Sequence, residues 1–214
     1  MIRLICGYQL RDYRGRPIGS EEWEARSLLL NFAKILCAGF RAPGGESTGY
    51  SGLVTSATVL DWDGTERTAP GLWYAGDHYY GGGVMMAMNA SSGDDSYGIL
   101  VGSGSTPVSY NDYRLASKIT HGTGAGQLSY GPHSTAISLG GSSSFVEISR
   151  TFVNVSGSTV TVREMGLVAW NYWKDGIAVR YNVKFLIARD LLPAPVTVPN
   201  FASLVARYKF SLTL

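Results

Sequence analysis

The segment Val179-Arg180-Tyr181-Asn182-Val183-Lys184-Phe185-Leu186-Ile187 decides the fold class of this chain. Val179, Tyr181, Val183, Phe185 and Ile187 alternate with Arg180, Asn182, Lys184 and Leu186, and a period of two is the signature of a β-strand with one core face and one wet face. The last residues repeat the pattern, with Leu204, Ala206, Tyr208, Phe210 and Leu212 set against Val205, Arg207, Lys209 and Ser211. Upstream, Val146, Ile148 and Phe152 alternate with Glu147, Ser149 and Thr151, and a Ser156-Gly157 turn leads into a further strand over 159–169. Alternation of this length predicts antiparallel pairing. Pro193, Pro195 and Pro199 are expected to form an extended connection outside any central ladder.

Working toward the N-terminus, the same reading predicts strands over 97–101, 84–88 and 53–60, the last running through Trp62 into an Asp63-Gly64 hairpin turn. Residues 65–83 are rich in Gly, Tyr and Trp and are expected to form a long loop. Trp73, Tyr74, Tyr79 and Tyr80, with His78, make this loop a candidate recognition surface, since aromatic faces bury area at low entropic cost. Such a loop can serve a subunit interface or a glycan.

Residues 20–39 read as an amphipathic helix. Ser20 is the expected N-cap, Glu21, Glu22 and Glu24 occupy the first turn, and Gly39 stops the helix. Ala25, Leu28, Leu29, Phe32, Ile35 and Leu36 form its apolar face, opposite Glu24, Ser27, Asn31 and Lys34. Before it, residues 1–19 hold Arg3, Arg11, Arg14 and Arg16 against Asp12 alone, with glycines and a proline throughout. They read as an extended basic arm, either a solvated tail or an extension that docks on a neighbouring subunit. The expected organisation is therefore an arm over 1–19, a helix over 20–39 and a β-sandwich or jelly-roll-like barrel over 40–214.

Composition narrows the function classes. Twenty-seven Gly and thirteen Tyr fit short strands joined by tight turns. A formal net charge of +2 gives no global reason to bind nucleic acid or an anionic membrane. Cys6 and Cys37 are too few for a disulfide framework and too far apart for a metal knuckle. The opening apolar run is shorter than a signal peptide, so the chain is expected to be made in the cytoplasm and to stay soluble until it assembles.

Each candidate chemistry is thin. His78, His121 and His133 lack partners at metal-ligand spacing, and Asp61-Trp62-Asp63-Gly64 lacks the later ligands of a calcium loop. The glycine runs 98–104 and 122–126 carry no Gly-Lys-Ser/Thr ending. Asp94 and Asp95 are adjacent acids on a loop, and with Glu164 they define the one enzymatic reading considered, a carbohydrate-active enzyme. No catalytic residue, metal or cofactor is expected. Arg150, Glu164, Arg189 and Asp190 lie in or beside apolar strands, where a charge must be paired. Arg150 or Arg189 is expected to pair with Glu164 or Asp190.

Several segments resemble a group of tailed-phage virion structural proteins. They are residues 94–104, Asn111-Asp112-Tyr113 with Leu115, residues 119–131, residues 148–154, Val162-Arg163-Glu164-Met165-Gly166-Leu167, and Phe185-Leu186-Ile187-Ala188-Arg189-Asp190. The resemblance implies a non-enzymatic virion component, foremost a capsid decoration or auxiliary head protein. Such a protein would be a homo-oligomer, with a trimer favoured, bound to the major capsid protein. The second reading is a tail, baseplate or fibre-associated protein that binds a host glycan or another tail protein.

Overall fold

The structure, a computed structural model, describes residues 2–25, 28–34, 56–70, 87–140, 143–175 and 178–213. It is mainly antiparallel β, and its two larger sheets face each other across one core in the manner of a sandwich. The strands are β1 (Ile2–Arg11), β2 (Pro17–Glu24), β3 (Ser56–Leu60), β4 (Glu66–Pro70), β5 (Gly98–Gly102), β6 (Ser129–Ser138), β7 (Ser143–Val153), β8 (Val160–Asp175), β9 (Ala178–Val198) and β10 (Ser203–Thr213). One sheet has the order β2-β1-β10-β7-β6, the other β5-β8-β9, and β3 pairs with β4 alone.

The alternation in β10 sorts its side chains as the sequence requires. Leu204, Ala206 and Tyr208 are buried, while Val205, Arg207 and Lys209 are only partly covered. Tyr208 reaches through the core: its hydroxyl contacts the Met165 carbonyl at 3.3 Å and Asp190 Oδ2 at 3.0 Å, tying the first sheet to the second. The second sheet departs from the expected single wet face. From Phe185 to Asp190 every residue of β9 is buried, as is every residue of β5. Its edges are covered as well: Leu29 donates to the Ile187 carbonyl, Trp62 to that of Lys184, and Ile119 to that of Val101.

The first 24 residues correct two expectations. Residues 1–19 are no free arm, since β1 lies inside the five-stranded sheet and pairs with β10 from Ile2↔Leu212 to Arg11↔Ser203. Leu4 and Cys6 are buried at alternate positions, a period of two that the glycines and arginines obscure in the sequence. The turn back is a local construction in which Asp12 Oδ1 accepts the Arg14 and Arg16 amides and Gly15 takes φ 78°. Nor do Ser20 to Glu24 begin a helix. They belong to β2, where Tyr8 faces Glu21 and Cys6 faces Trp23, and the Trp23 ring packs edge-on against Tyr8 at 6.3 Å. Ladder bonds and one partly buried aromatic outweigh the helical preference of three glutamates.

The described helical structure in this region is one turn over 30–34. The expected faces hold in part: Leu29 is buried and Phe32 packs against the core, but Leu28 is exposed and Asn31 is buried, its side chain accepting the Leu60 amide and donating to the Leu60 carbonyl. Residues 35–39 lie outside the described residues.

Two further departures concern loops. The expected loop over 65–83 begins with a strand, β4, joined to β3 by the turn at Gly64, φ 81°. Pro193 and Pro195 belong to β9, yet the register jumps from Glu164↔Leu191 to Val162↔Val196, so both prolines sit in a bulge of an edge strand, where no amide is required.

Candidate functional site

The four charged residues picked from the strands are all buried. Arg189 and Glu164 form the expected pair, with Nε donating to Oε2 at 2.8 Å and side-chain exposures of 2% and 0%. Glu164 also accepts the amides of Gly104, Ala116 and Ser117. Arg189 spends its other nitrogens on Asp112 Oδ2 at 2.7 Å and the Thr106 carbonyl at 2.8 Å. One ion pair thus pins the segment 104–117 onto the second sheet. The carboxylates and the burial of Arg189 pull in opposite directions, and the net effect raises its pKa.

Arg150 takes a different solution. Its five N–H donors all go to main-chain carbonyls: Gly131 at 2.8 Å, Tyr97 and Ile99 at 3.3 Å, Ser91 at 3.0 Å and Asp94 at 2.6 Å. The guanidinium lies 4.7 Å from the Tyr130 ring centroid. Among the described residues no carboxylate bonds it directly. Burial lowers its pKa, against the favourable charges of Tyr130, Asp94 and Asp95. Asp190 Oδ2 accepts the Tyr208 hydroxyl.

Beside Arg150, His133 accepts the Ile99 amide at Nε2 (2.7 Å), which fixes the proton on Nδ1, 3.1 Å from the Ala90 carbonyl. Burial lowers its pKa from 6.5 to about 4, so the ring is neutral at pH 7. His121 likewise accepts an amide, that of Tyr130, at Nδ1. Both histidines therefore serve as backbone acceptors in the knot around residues 90–99. Burial pushes the Cys6 thiol pKa up, with the nearby Asp190 charge adding to it.

The acids weighed for glycan hydrolysis each have partners of their own. Asp94 Oδ1 accepts the Ser96 amide, Asp95 pairs with Lys118 at 3.2 Å and accepts the His121 amide, and Glu164 has no exposed surface. Among the described residues no three His, Cys, Asp or Glu side chains group closely enough for a metal ion, and no helix is long and apolar enough to cross a membrane.

Asn154 is a hub that is absent from the candidates above. It is fully buried, donates to the Ser158 and Val198 carbonyls, and accepts from the Ser156 amide and hydroxyl. Its own carbonyl accepts the Phe201 amide at 2.7 Å. Phe201 is thereby held at φ 65°, an uncommon conformation for a bulky residue, with its side chain 64% exposed. The Ser156-Gly157 turn was the available signal, because an Asn before it forms a side-chain turn of its own.

The arginines of the first 19 residues lie along the β1–β2 hairpin. Arg3 stands 3.9 Å from Glu24, and Arg11 donates to Gln9. Arg16 pairs with Asp12 at 2.8 Å, and Arg14 covers the Tyr13 ring. Since Arg11 faces Ser203 in the ladder, the hairpin tip and the Phe201 turn share one end of the five-stranded sheet. Exposed Tyr13, Ile18, Val155 and Phe201 gather there with Arg11, Arg14 and Arg16. Trp73, Tyr74, Tyr79 and Tyr80, the expected aromatic surface, lie outside the described residues.

Comparison with family models, curated proteins and solved structures finds no match to this chain.

Proposed function

We propose that this chain is a non-enzymatic virion structural protein of a tailed phage, a capsid decoration or auxiliary head protein that acts through contacts with neighbouring subunits. The observation that carries this reading is how the polar groups are divided. Arg150, Glu164, Arg189 and Asn154 spend their bonding capacity inside the fold, holding loops in place, while Tyr13, Ile18 and Phe201 stand exposed around three arginines at one sheet end. Apolar side chains displayed together on a rigid frame favour adhesion over chemistry. The resemblance of residues 94–104, 119–131, 148–154, 162–167 and 185–190 to virion proteins supports the same conclusion.

Deleting residues 1–19 would remove β1 from the middle of a sheet and so test folding rather than docking. The informative experiment labels the chain on intact particles and then on separated heads and tails. Label on heads, at a copy number matching a repeated capsid position, is the expected result. Label confined to tails would move the chain to the tail reading, and its absence from particles refutes both. The double variant Tyr13→Ser, Phe201→Ser should fold normally yet lose its place on the head.

A further inference from the structure

The five-stranded sheet ends in two edges of opposite character. The β2 edge carries the usual guards against strand addition, with Pro17 at its start and Glu21, Glu22 and Glu24 along it. The β6 edge has its proline, Pro132, and its bulge only in the inner half. Its outer half, Ser134-Thr135-Ala136-Ile137-Ser138 followed by Leu139, has no charge, no proline and no bulge after His133, and every one of these residues is exposed. The inner half is already occupied, since Gly93 donates to the Tyr130 carbonyl and His133 to that of Ala90.

The register shows which side chains this edge presents. Ile137 faces Val146, and Val146 faces Phe210, so all three lie on the core side of the sheet. At this end the core side is open, with Ile137 63%, Leu139 80% and Leu212 46% exposed. Leu139, Val146, Phe210 and Leu212 line a shallow apolar groove that runs up to the edge.

We infer that β6 is a homotypic docking edge, at which a second copy of this chain adds its own β6 antiparallel across a two-fold axis near Ile137. The pattern is self-complementary. With Ile137 opposite its counterpart, Thr135 of each copy faces Leu139 of the other, and all of them stay on the apolar side. The two grooves then join into one apolar face. An uncharged segment meets an identical one without repulsion, whereas the β2 edge would bring three carboxylates to the contact. The pairing satisfies both strands' outward amides and carbonyls and has the symmetry of an isologous dimer. This inference deepens the proposed subunit-contact role. It replaces the trimer favoured from the sequence by a dimer.

The test is the mass of the purified full chain in solution, by light scattering and sedimentation. A dimer is expected. Ile137→Lys should weaken dimerisation about tenfold or more, because two ammonium groups would stand opposite each other. Ile137→Glu should do the same, and an equimolar mixture of the two should restore the dimer. Circular dichroism and thermal melts identify a variant that has failed to fold, and the mixing experiment requires both to be folded. A monomeric or trimeric wild type overturns the inference, as does a dimer that survives Ile137→Lys or fails to reform on mixing. Because the free chain is measured, the pairing can fail while the chain remains a head protein, and the reverse.

Discussion

Replacing Arg150 by Met keeps an unbranched apolar stem, shorter than that of arginine, and removes all five donors. The five carbonyls they serve belong to Ser91, Asp94, Tyr97, Ile99 and Gly131, and the guanidinium that reaches them is 1% exposed. A buried polar group left without a partner costs about 1–3 kcal/mol. If water reaches three of the five and only two remain orphaned, the loss is about 2–6 kcal/mol. The lost contact with the Tyr130 ring adds about 1 kcal/mol. Removing the desolvated charge returns part of this, which sets an expected net destabilisation of about 3 kcal/mol, a large share of a typical domain's stability. Urea unfolding followed by tryptophan fluorescence measures it through the shift in midpoint at constant slope. Arg150→Lys should fall between Met and wild type, since an ammonium offers three donors in a compact head. A loss below about 1 kcal/mol for Arg150→Met would refute the idea that this guanidinium organises residues 91–99.

Glu164→Gln exchanges a carboxylate oxygen for a donor amide among four donors that need an acceptor, and should lower stability by about 3 kcal/mol in a thermal melt. The His133 pKa is depressed to about 4, so below pH 6.5 the unfolded chain binds this proton before the folded one does. Stability should therefore fall as pH drops from 6.5 to about 4. His133→Gln, which keeps an acceptor, should flatten that dependence; equal pH slopes in the two proteins would contradict it. Phe201→Asn should raise stability by about 0.5–1 kcal/mol by scanning calorimetry, because Asn tolerates φ 65° better than Phe.

The parts of the fold legible in the sequence are those where alternation is undisturbed. Leu204, Ala206 and Tyr208 are buried on one face of β10, and Ile148 and Phe152 on one face of β7. In β1 the same period is broken for a reader by Gly7 and the arginines, although Leu4 and Cys6 keep it. In β2 three glutamates imitate the first turn of a helix, while the partner that decides the matter, Tyr8 against Trp23, comes from another strand. The strand β6 has little apolar signature because its outer half is exposed.

The candidate site divides in the same way. A lone Glu in a Val-Arg-Glu-Met run and an Arg in an Ile-Ala-Arg-Asp run announce a buried pair, and Arg189 with Glu164 is that pair. Arg150 gives no comparable hint of its partners, because carbonyl oxygens belong to every residue and leave no trace in the alphabet. Asn154 reads as one polar residue beside a turn, and its role emerges only from the loop it fastens.

The grip of Arg150 on main-chain oxygens has a consequence for how this protein can change. A clasp that holds only the common backbone is indifferent to which side chains ride on the clasped residues, so exposed Ser91 can be exchanged wherever the local path allows. The freedom is one-sided. The loop surface can drift toward new neighbours while the guanidinium beneath it has no substitute, so one internal residue licenses variety outside it.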